Sequence, residues 1–203
     1  MRGLAAGVLV VSAGLALAYA LCPRPDLHGE ISWSRAYHDR DGGLLRLTLA
    51  ADEHYRLQTP LAAIAPAMVE ATLLYEDRHF RMHPGVNPVA LARAFISTYL
   101  TGTRRLGGST ITMQLARNLF LTFEKTVTRK AREMILAVQI EQIYTKDEIL
   151  AMYLNQIYMG QGTYGMQAAS RLFFGKDVWD LQPGLSAFQS GRPGAPPAPP
   201  AAC

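Results

Sequence analysis

The strongest candidate for acid–base chemistry is Glu76, the first residue of the stretch 76–85, in which two acids lie beside several basic side chains. Four residues at helical spacing share one stripe: Val69, Leu73, Glu76 and Phe80. Glu76 therefore interrupts an apolar face, and a carboxylate that loses hydration there is suited to act as a general base or acid. The alternative is a structural ion pair between Glu76 and Arg78 or Arg81, and this stretch alone favours neither.

A second acid, Glu133, lies on another predicted helix, which begins near Arg129 and ends at about Tyr144. One face of that helix carries Lys130, Glu133, Leu136, Ala137 and Ile140. On a protein surface, the pair formed by Lys130 and Glu133 would contribute only ~0.3 kcal/mol to stability. The largely apolar neighbours disfavour this simple surface interpretation, because charges among apolar groups are costly to bury.

Between the two acids, the stretch 107–118 begins Gly-Gly-Ser-Thr and continues into a predicted helix capped by Ser109. Glycines ahead of a helix leave backbone N–H groups free to bind an anion, although most such turns only cap helices. On a later helix, Tyr153 and Asn155 could bind a substrate. The helix pattern by itself favours packing and hydrogen bonding within the core for both residues.

A mostly helical scaffold is predicted to position these side chains, because helix start and stop signals recur after Pro60. The clearest signals are a proline at a first helical position, an Asn-Pro start and a Thr-x-x-Glu capping box. Besides the helix after Ser109, helices are predicted from Pro66, from Asn87 to roughly Leu100, from Arg129 to about Tyr144, from Thr145 to near Gly160, and over 166–174. The uncharged stretch 94–100 is predicted to lie in the core or to touch a membrane surface.

A short β element is predicted ahead of these helices. Leu45, Leu47 and Leu49 alternate with polar residues after the turn signal at 39–43, which predicts one strand. Residues 55–57 are predicted to be its partner strand, and no further sheet is expected.

Composition limits the class of protein. The chain has 203 residues, of which 49% are hydrophobic and 18% charged, with a net charge of +4 and a pI of about 9.2. Such a chain can bury one core plus a short appendage. The mild positive excess suits anionic lipid, a phosphorylated substrate or nucleic acid, and nucleic acid ranks last because no matching motif is present. Cys22 and Cys203 lie at opposite ends and predict neither a metal site nor a disulfide framework.

The two ends of the chain differ from its middle. Residues 3–21 form an almost unbroken apolar run after Arg2, long enough to span a bilayer with Arg2 on the cytoplasmic side. A cleaved signal peptide is the alternative, because 18–20 read Ala-Tyr-Ala, and both interpretations export the domain. The Pro-rich and Gly-rich end is predicted to be disordered. The predicted organisation is an anchor or signal peptide at 1–22, a linker with the β element at 23–60, the main domain at 61–182 and a tail at 183–203.

Five motifs, in this order, resemble those of the family 51 peptidoglycan glycosyltransferases, the domain of class A penicillin-binding proteins and of monofunctional transglycosylases. They are Glu-Asp-x-x-Phe-x-x-His-x-Gly (76–85), Gly-Gly-Ser-Thr-x-Thr-x-Gln (107–114), Arg-Lys-x-x-Glu (129–133), Lys-x-Glu-Ile-Leu-x-x-Tyr-Leu-Asn (146–155) and Ala-Ala-Ser-Arg-Leu-Phe-Phe-Gly-Lys (168–176). The resemblance covers roughly Asp39 to Asp180. The region from Arg46 to Arg56 is most similar to the 1C branch of penicillin-binding proteins.

The resemblance implies a mainly α, lysozyme-like domain with a membrane-facing jaw, a small N-terminal β element and an N-terminal transmembrane helix. It implies an inverting glycosyltransferase of the bacterial inner membrane, with its catalytic domain on the periplasmic side. Members of the family polymerise lipid II, the undecaprenyl-pyrophosphate-linked disaccharide-pentapeptide, into glycan strands. The implied partners are lipid II, the growing strand, membrane lipid, and a transpeptidase or other cell-wall synthesis proteins, with no nucleic acid.

The same resemblance assigns roles to residues. Glu76 would deprotonate the 4-hydroxyl of the acceptor sugar, and Glu133 would assist on the pyrophosphate side. The implied substrate-binding residues are Asp77, Ser109, Thr110, Gln114, Arg117, Arg129, Lys130, Tyr153 and Asn155, with Lys125 a looser candidate. Positioned cations make chemical sense, because they stabilise the charge that develops on a leaving pyrophosphate. Mg2+ or Mn2+ could add to that neutralisation, but the sequence contains no dedicated metal cluster. Phe80, His83 and Gly85 are expected to be architecture around the first acid.

The chain departs from the family pattern at two positions. Met113 stands where many members have Gln, and Leu185 stands where a Glu is expected. Because of Leu185, the sequence neither predicts nor excludes the closing helix of the family. The motifs of a penicillin-binding transpeptidase are not found in this sequence, so no such domain is expected here.

Two rival functions remain: a lysozyme-like glycan cleaver with Glu76 as the acid, and a catalytically poor scaffold that recruits wall-synthesis partners. The cations near Glu133 argue against the cleaver, because hydrolysis of a neutral glycoside needs no pyrophosphate clamp. A folding assay would separate the scaffold from the polymerase.

Overall fold

The computed structural model describes residues 14, 19, 24–29, 31–99, 108–122, 124 and 126–181. Of the predicted anchor at 1–22, only Gly14 and Tyr19 are described, and the predicted tail at 183–203, which contains Leu185, lies outside the described residues. Lys125 lies outside them as well. Within the described part of the chain, no helix is both long enough and apolar enough to cross a membrane.

The described residues form a mainly helical domain, as predicted. Its α-helices are α1 (Pro66–Glu76), α2 (Pro88–Tyr99), α3 (Ile111–Phe120), α4 (Val127–Ile143), α5 (Lys146–Gln156) and α6 (Met166–Phe174). Several begin at the predicted local signals. Helix α1 has a proline at its start, the Asn87 side chain accepts the Ala90 amide at the start of α2, and Thr145 and Glu148 form the capping box of α5.

Three helix boundaries differ from the prediction. Helix α4 begins at Val127 and not near Arg129, because Thr126 caps it by accepting the Arg129 amide. Helix α3 is capped by Thr110 rather than Ser109, because the Thr110 hydroxyl accepts the Met113 amide at 3.1 Å. This one-residue shift leaves the Ser109 hydroxyl available for another contact. Helix α5 ends at Gln156 instead of near Gly160, because the following residues pair as a strand.

The strand partners predicted from the sequence are wrong. Strand β2 (Leu44–Leu47) pairs antiparallel with β1 (Ala36–His38) and not with residues 55–57. A second sheet, which was not expected, contains β3 (Tyr55–Arg56), β4 (Tyr158–Gly160) and β5 (Thr163–Tyr164), with β5 parallel to β3 and antiparallel to β4. Its strands have only two or three residues, too few for an alternating pattern to reveal them.

The core lies where α3 packs against both α4 and α5. Fully buried side chains from the three helices meet there: Ile111 and Leu115 from α3, Ile140 from α4, and Ile149, Leu150 and Leu154 from α5. Leu27, far upstream, belongs to the same cluster, and its backbone N–H donates to the Tyr144 hydroxyl at 3.2 Å. Part of the segment predicted as a linker therefore packs onto the domain.

A close backbone approach joins the segment after α1 to α4. Gly85 has a φ of +85°, and a Cβ at this position would lie 2.5 Å from the carbonyl oxygen of Ala137. Only glycine avoids both the strained φ and the collision. This contact agrees with the architectural role predicted for Gly85, since it allows the chain that follows Glu76 to lie directly on the helix that carries Glu133.

Candidate active site

Glu76 is the last residue of α1, and its side chain is partly exposed. Its Oε2 accepts a hydrogen bond from the side-chain amide of Gln114 at 2.8 Å. Among the described residues, neither Arg78 nor Arg81 forms an ion pair with Glu76, and Arg81 pairs with Asp147 at 2.8 Å instead. A neutral donor therefore orients this carboxylate while solvent still reaches it, which is an arrangement suited to a general base.

Asp77 is buried, and its carboxylate contacts two other elements. Its Oδ2 lies 2.9 Å from His83 Nε2 and accepts the Ile111 backbone N–H at 3.2 Å. Ile111 is the first residue of α3, where the helix dipole favours a carboxylate. Asp77 therefore ties the end of α1 to the start of α3, and the substrate contact implied by the family resemblance stays a prediction.

Glu133 is fully buried and binds two cations. Its Oε2 accepts a hydrogen bond from Arg129 at 2.7 Å, and its Oε1 accepts one from Lys130 at 2.5 Å. The side chains of both cations remain partly exposed. The burial of Glu133 excludes a simple surface ion pair. Because two positive charges surround one negative charge, the cluster keeps a net positive charge that can attract an anion.

The ammonium of Lys130 also donates to the hydroxyl of Ser109 at 2.7 Å, which anchors it to the turn before α3. Burial lowers the pKa of Lys130, and the charges of Arg117 and Arg129 lower it further, whereas Glu133 opposes the shift. The cations of this cluster therefore repel one another, and a bound anion would relieve that repulsion.

Arg117 lies on α3 one turn after Gln114, on the same side of the helix. Its Nε is buried without a hydrogen-bond partner among the described residues, and the Nε of Arg129 is in the same situation. Buried donors of this kind are normally satisfied, and a ligand oxygen would satisfy them here. Together with Lys130, the two guanidinium groups make the part of the site best suited to phosphate oxygens.

Tyr153 reaches the site from the core. The residue is 1% exposed, and its hydroxyl lies 3.4 Å from Gln114 Oε1. Burial raises the pKa of Tyr153 well above its usual value, and the charges of Glu76 and Asp77 add to the shift. Arg117 opposes it. The hydroxyl therefore stays protonated and acts as a donor.

Two other residues implied as substrate contacts use their side chains within the protein. Asn155 accepts the Thr59 backbone N–H and donates to the Thr59 carbonyl, both at 2.8 Å. Thr110 caps α3, and its hydroxyl donates to the Gly85 carbonyl. Asn155 thus joins α5 to the segment before α1, and Thr110 joins α3 to the segment after it.

The residues around Glu133 do not fit a resident divalent cation. The two oxygens of Glu133 are bound by Arg129 and Lys130, and the positive charge of Arg117 also acts on Lys130. Within the described ranges, no group of three or more His, Cys, Asp or Glu residues could hold a metal ion. A donor set dominated by guanidinium and ammonium groups suits an anion instead.

Met113, one of the two departures from the family pattern, is 0% exposed. Its neighbour Gln114 is the residue that contacts Glu76. Methionine adapts well to irregular apolar surroundings. The substitution at position 113 therefore lies in the interior and leaves the hydrogen bond to Glu76 intact.

A supporting cluster was not predicted from the sequence. Lys146 donates to the His83 carbonyl and to Glu141 Oε1, both at 2.7 Å, and Thr112 donates to the same Glu141 oxygen at 2.6 Å. The Lys146 ammonium also lies 4.4 Å from the centroid of the Phe80 ring. The cluster ties three helices to the segment after Glu76. The lysine was visible as part of a motif. Spacing did not reveal its partners, because His83 lies 63 residues away along the chain and Glu141, although five residues away, lies on a different helix.

A family model described as Transglycosylase matches residues 43–200. Penicillin-binding protein 1A of Aquifex aeolicus (strain VF5) is 45% identical over 141 residues, which are 70% of this chain and 19% of that protein. Penicillin-binding protein 1A of Escherichia coli (strain K12) is 46% identical over 144 residues, 71% of this chain and 17% of that protein.

Penicillin-binding protein 1F of Bacillus subtilis (strain 168) is 46% identical over 127 residues, 63% of this chain and 18% of that protein. The chain therefore spans about a fifth of the length of these curated relatives. The similarity to the 1C branch stays a prediction, since these relatives carry the names 1A and 1F.

Proposed function

The chain belongs to the transglycosylase family, and from that premise we propose that it is an inverting peptidoglycan glycosyltransferase that polymerises lipid II. The reaction extends a glycan strand and releases undecaprenyl pyrophosphate. One observation carries the proposal: helix α3 and the turn before it contact both the carboxylate of the base and the cation cluster. Gln114 binds the carboxylate of Glu76, and Ser109, in the turn before the helix, binds Lys130 of the cation cluster.

In this proposal, Glu76 is the general base. Gln114 binds its Oε2, so the other carboxylate oxygen is available to the 4-hydroxyl of the acceptor sugar. The hydroxyl gives its proton to Glu76 while its oxygen attacks the anomeric carbon of the donor. A single displacement of this kind inverts the configuration at that carbon.

The cations near Glu133 act on the leaving group. As the bond from the anomeric carbon to the pyrophosphate oxygen breaks, its electron pair moves to that oxygen. Arg117, Arg129 and Lys130 stabilise the developing negative charge. Glu133 cannot itself take up a proton without losing its two partners, so its role is to hold Arg129 and Lys130 in place.

We also propose that residues 1–22 anchor the chain in the bacterial inner membrane, with the domain on the periplasmic side. The apolar run at 3–21 after Arg2 supports this orientation. Membrane lipid and a transpeptidase or other cell-wall synthesis protein would then be partners. Protease added outside spheroplasts should digest the domain, and protection of the domain would contradict this orientation.

The function is tested by incubating the full, detergent-solubilised chain with labelled lipid II and resolving glycan ladders on a gel. We expect ladders from the parent and a loss of roughly 10²- to 10⁴-fold in rate for Glu76→Gln, the range that general base catalysis contributes. Glu70→Gln is the matched control, because Glu70 is an exposed glutamate on the same helix. Its rate should equal that of the parent.

A folded parent that makes no polymer where a penicillin-binding protein 1A is active would overturn the polymerase and support the scaffold. A parent that instead shortens preformed glycan would support the lysozyme-like cleaver. Equal activity of Glu76→Gln and Glu70→Gln would remove Glu76 from the role of base.

A further inference from the structure

Gln114 lies between two side chains from different helices. Its Nε2 is 2.8 Å from Glu76 Oε2 at the end of α1, and its Oε1 is 3.4 Å from the Tyr153 hydroxyl on α5. Each end of the amide therefore has a partner within the protein. The contact with Glu76 is short, whereas the contact with Tyr153 is longer than a usual O–H···O bond and is expected to have the smaller effect.

The two partners determine which way the amide points. A glutamine amide has a donor end and an acceptor end of nearly equal size. Tyr153 is buried and keeps its proton, because burial raises its pKa well above the usual value. A protonated hydroxyl can donate or accept, but beside the carbonyl oxygen Oε1 it can only donate. This pairing turns the NH2 group of Gln114 towards Glu76.

The direction of an amide favours one protonation state of a carboxylate that it faces. An N–H donor favours the ionised carboxylate, which can only accept hydrogen bonds. A reversed amide would bring two oxygens together and would favour the protonated acid. An ionised carboxylate with one oxygen fixed is the form that a general base requires.

We propose that Gln114 is a positioning residue that holds Glu76 as an ionised base, and that Tyr153 sets the direction of the Gln114 amide. This inference rests on the proposed function, in which Glu76 takes the proton of the acceptor. It gives Gln114 and Tyr153 a role in preparing the base, which differs from the substrate contacts implied by the family resemblance.

Other charged groups face this arrangement. Asp77 adjoins Glu76, and its Oδ2 lies 2.9 Å from His83 Nε2. Arg117 shares α3 with Gln114, and its charge acts on Tyr153 together with the charges of Glu76 and Asp77. The acid disfavours further negative charge and the arginine favours it. Because substitutions at positions 114 and 153 leave these groups unchanged, the effect of those substitutions reports on the amide.

The test compares Gln114→Met and Tyr153→Phe with the parent in lipid II polymerisation across pH. Loss of a hydrogen bond to the carboxylate should move the acid limb of kcat for Gln114→Met to higher pH, with KM nearly unchanged. The weaker contact of Tyr153 should give Tyr153→Phe a smaller shift in the same direction. Tyr158→Phe is the matched control, because its hydroxyl contacts Gly162 and not Gln114.

A second readout does not depend on activity. The carboxyl of Glu76 is titrated in chain labelled with 13C-glutamate, and its signal is assigned by its disappearance in Glu76→Gln. This signal should titrate at higher pH in Gln114→Met and Tyr153→Phe than in the parent, and thermal melts establish that the variants are folded. A parent without polymerase activity would remove the proposed function, yet the titration would still decide the role of the amide.

Two results would overturn the inference. One is a Glu76 titration in folded Gln114→Met that superimposes on that of the parent. The other is a rise in KM without any shift of the acid limb, because this result would make Gln114 a direct substrate contact.

Discussion

Replacing Glu133 with Gln removes the charge of a buried carboxylate that pairs with Arg129 and Lys130. Removal of one partner leaves the other charges uncompensated, which costs about 3–5 kcal/mol when all groups are buried. The side chains of Arg129 and Lys130 are 16% and 31% exposed, whereas that of Glu133 is 0% exposed. Because water can screen part of the uncompensated charge, we expect Glu133→Gln to lower the free energy of unfolding by about 2–3 kcal/mol.

Thermal unfolding of the full, detergent-solubilised chain, followed by circular dichroism, measures this loss. It should appear as a fall in Tm of roughly 5–10 °C for a chain of this size. Asp147→Asn is the matched control, because Asp147 and Arg81 form an ion pair whose side chains are 65% and 55% exposed. Its loss should stay within about 1 kcal/mol, including the effect of removing an acid from the first turn of α5.

A double variant tests the cause of the loss. Adding Lys130→Met to Glu133→Gln removes an uncompensated ammonium, and the double variant should regain about 1 kcal/mol. Equal losses for Glu133→Gln and Asp147→Asn would refute the reasoning, since burial of the pair would then have no energetic consequence. A double variant no more stable than Glu133→Gln would refute it too, because the loss would not come from uncompensated charge.

Gly85→Ala should lower the free energy of unfolding in urea by about 3 kcal/mol, because φ is +85° and the new Cβ would lie 2.5 Å from the Ala137 carbonyl oxygen. Gly160→Ala is its control and should lose about 1 kcal/mol, since φ is +95° but nothing lies within 4 Å of the Cβ. Polymerisation should decline as the pH rises through the pKa of Lys130, which burial lowers, because the ammonium then loses its charge. Lys130→Arg should move this decline to higher pH, because a guanidinium keeps its charge.

Each of these predictions has a contrary outcome. Losses of equal size at Gly85 and Gly160 would contradict the steric account of the contact with α4. Below its pKa, Lys130 is a cation that can bind pyrophosphate oxygens, and above it the amine is neutral. An alkaline decline that Lys130→Arg leaves unchanged would therefore mean that another group causes it.

Several helix starts were predictable because the groups that form them are close neighbours along the chain. The proline at the first position of α1 acts through its own ring, and Thr145 and Glu148 complete each other's hydrogen bonds three residues apart. The two acids were predictable as well, because a charge that interrupts an apolar stripe is visible in the periodicity. Glu76 and Glu133 both stood out in this way.

The partners of those acids depended on the tertiary structure. Gln114 lies 38 residues from Glu76, and Ser109 lies 21 residues from Lys130, so no helical or strand period connects them. The same holds for strand β3, whose two residues were assigned to the wrong partner. A short strand pairs with whichever backbone edge the packed helices bring beside it.

The sequence by itself determined the helical class, the positions of the two acids and the family to which the motifs point, because these follow from residue types and local spacing. The packing of α3 against α4 and α5 decided that Glu133 is fully buried and that Gln114 lies within hydrogen-bond reach of Glu76. It also decided that the side chain of Asn155 forms hydrogen bonds with the backbone of Thr59. These contacts arise from the burial of apolar faces by helices remote in sequence, and that burial is a property of the folded chain as a whole.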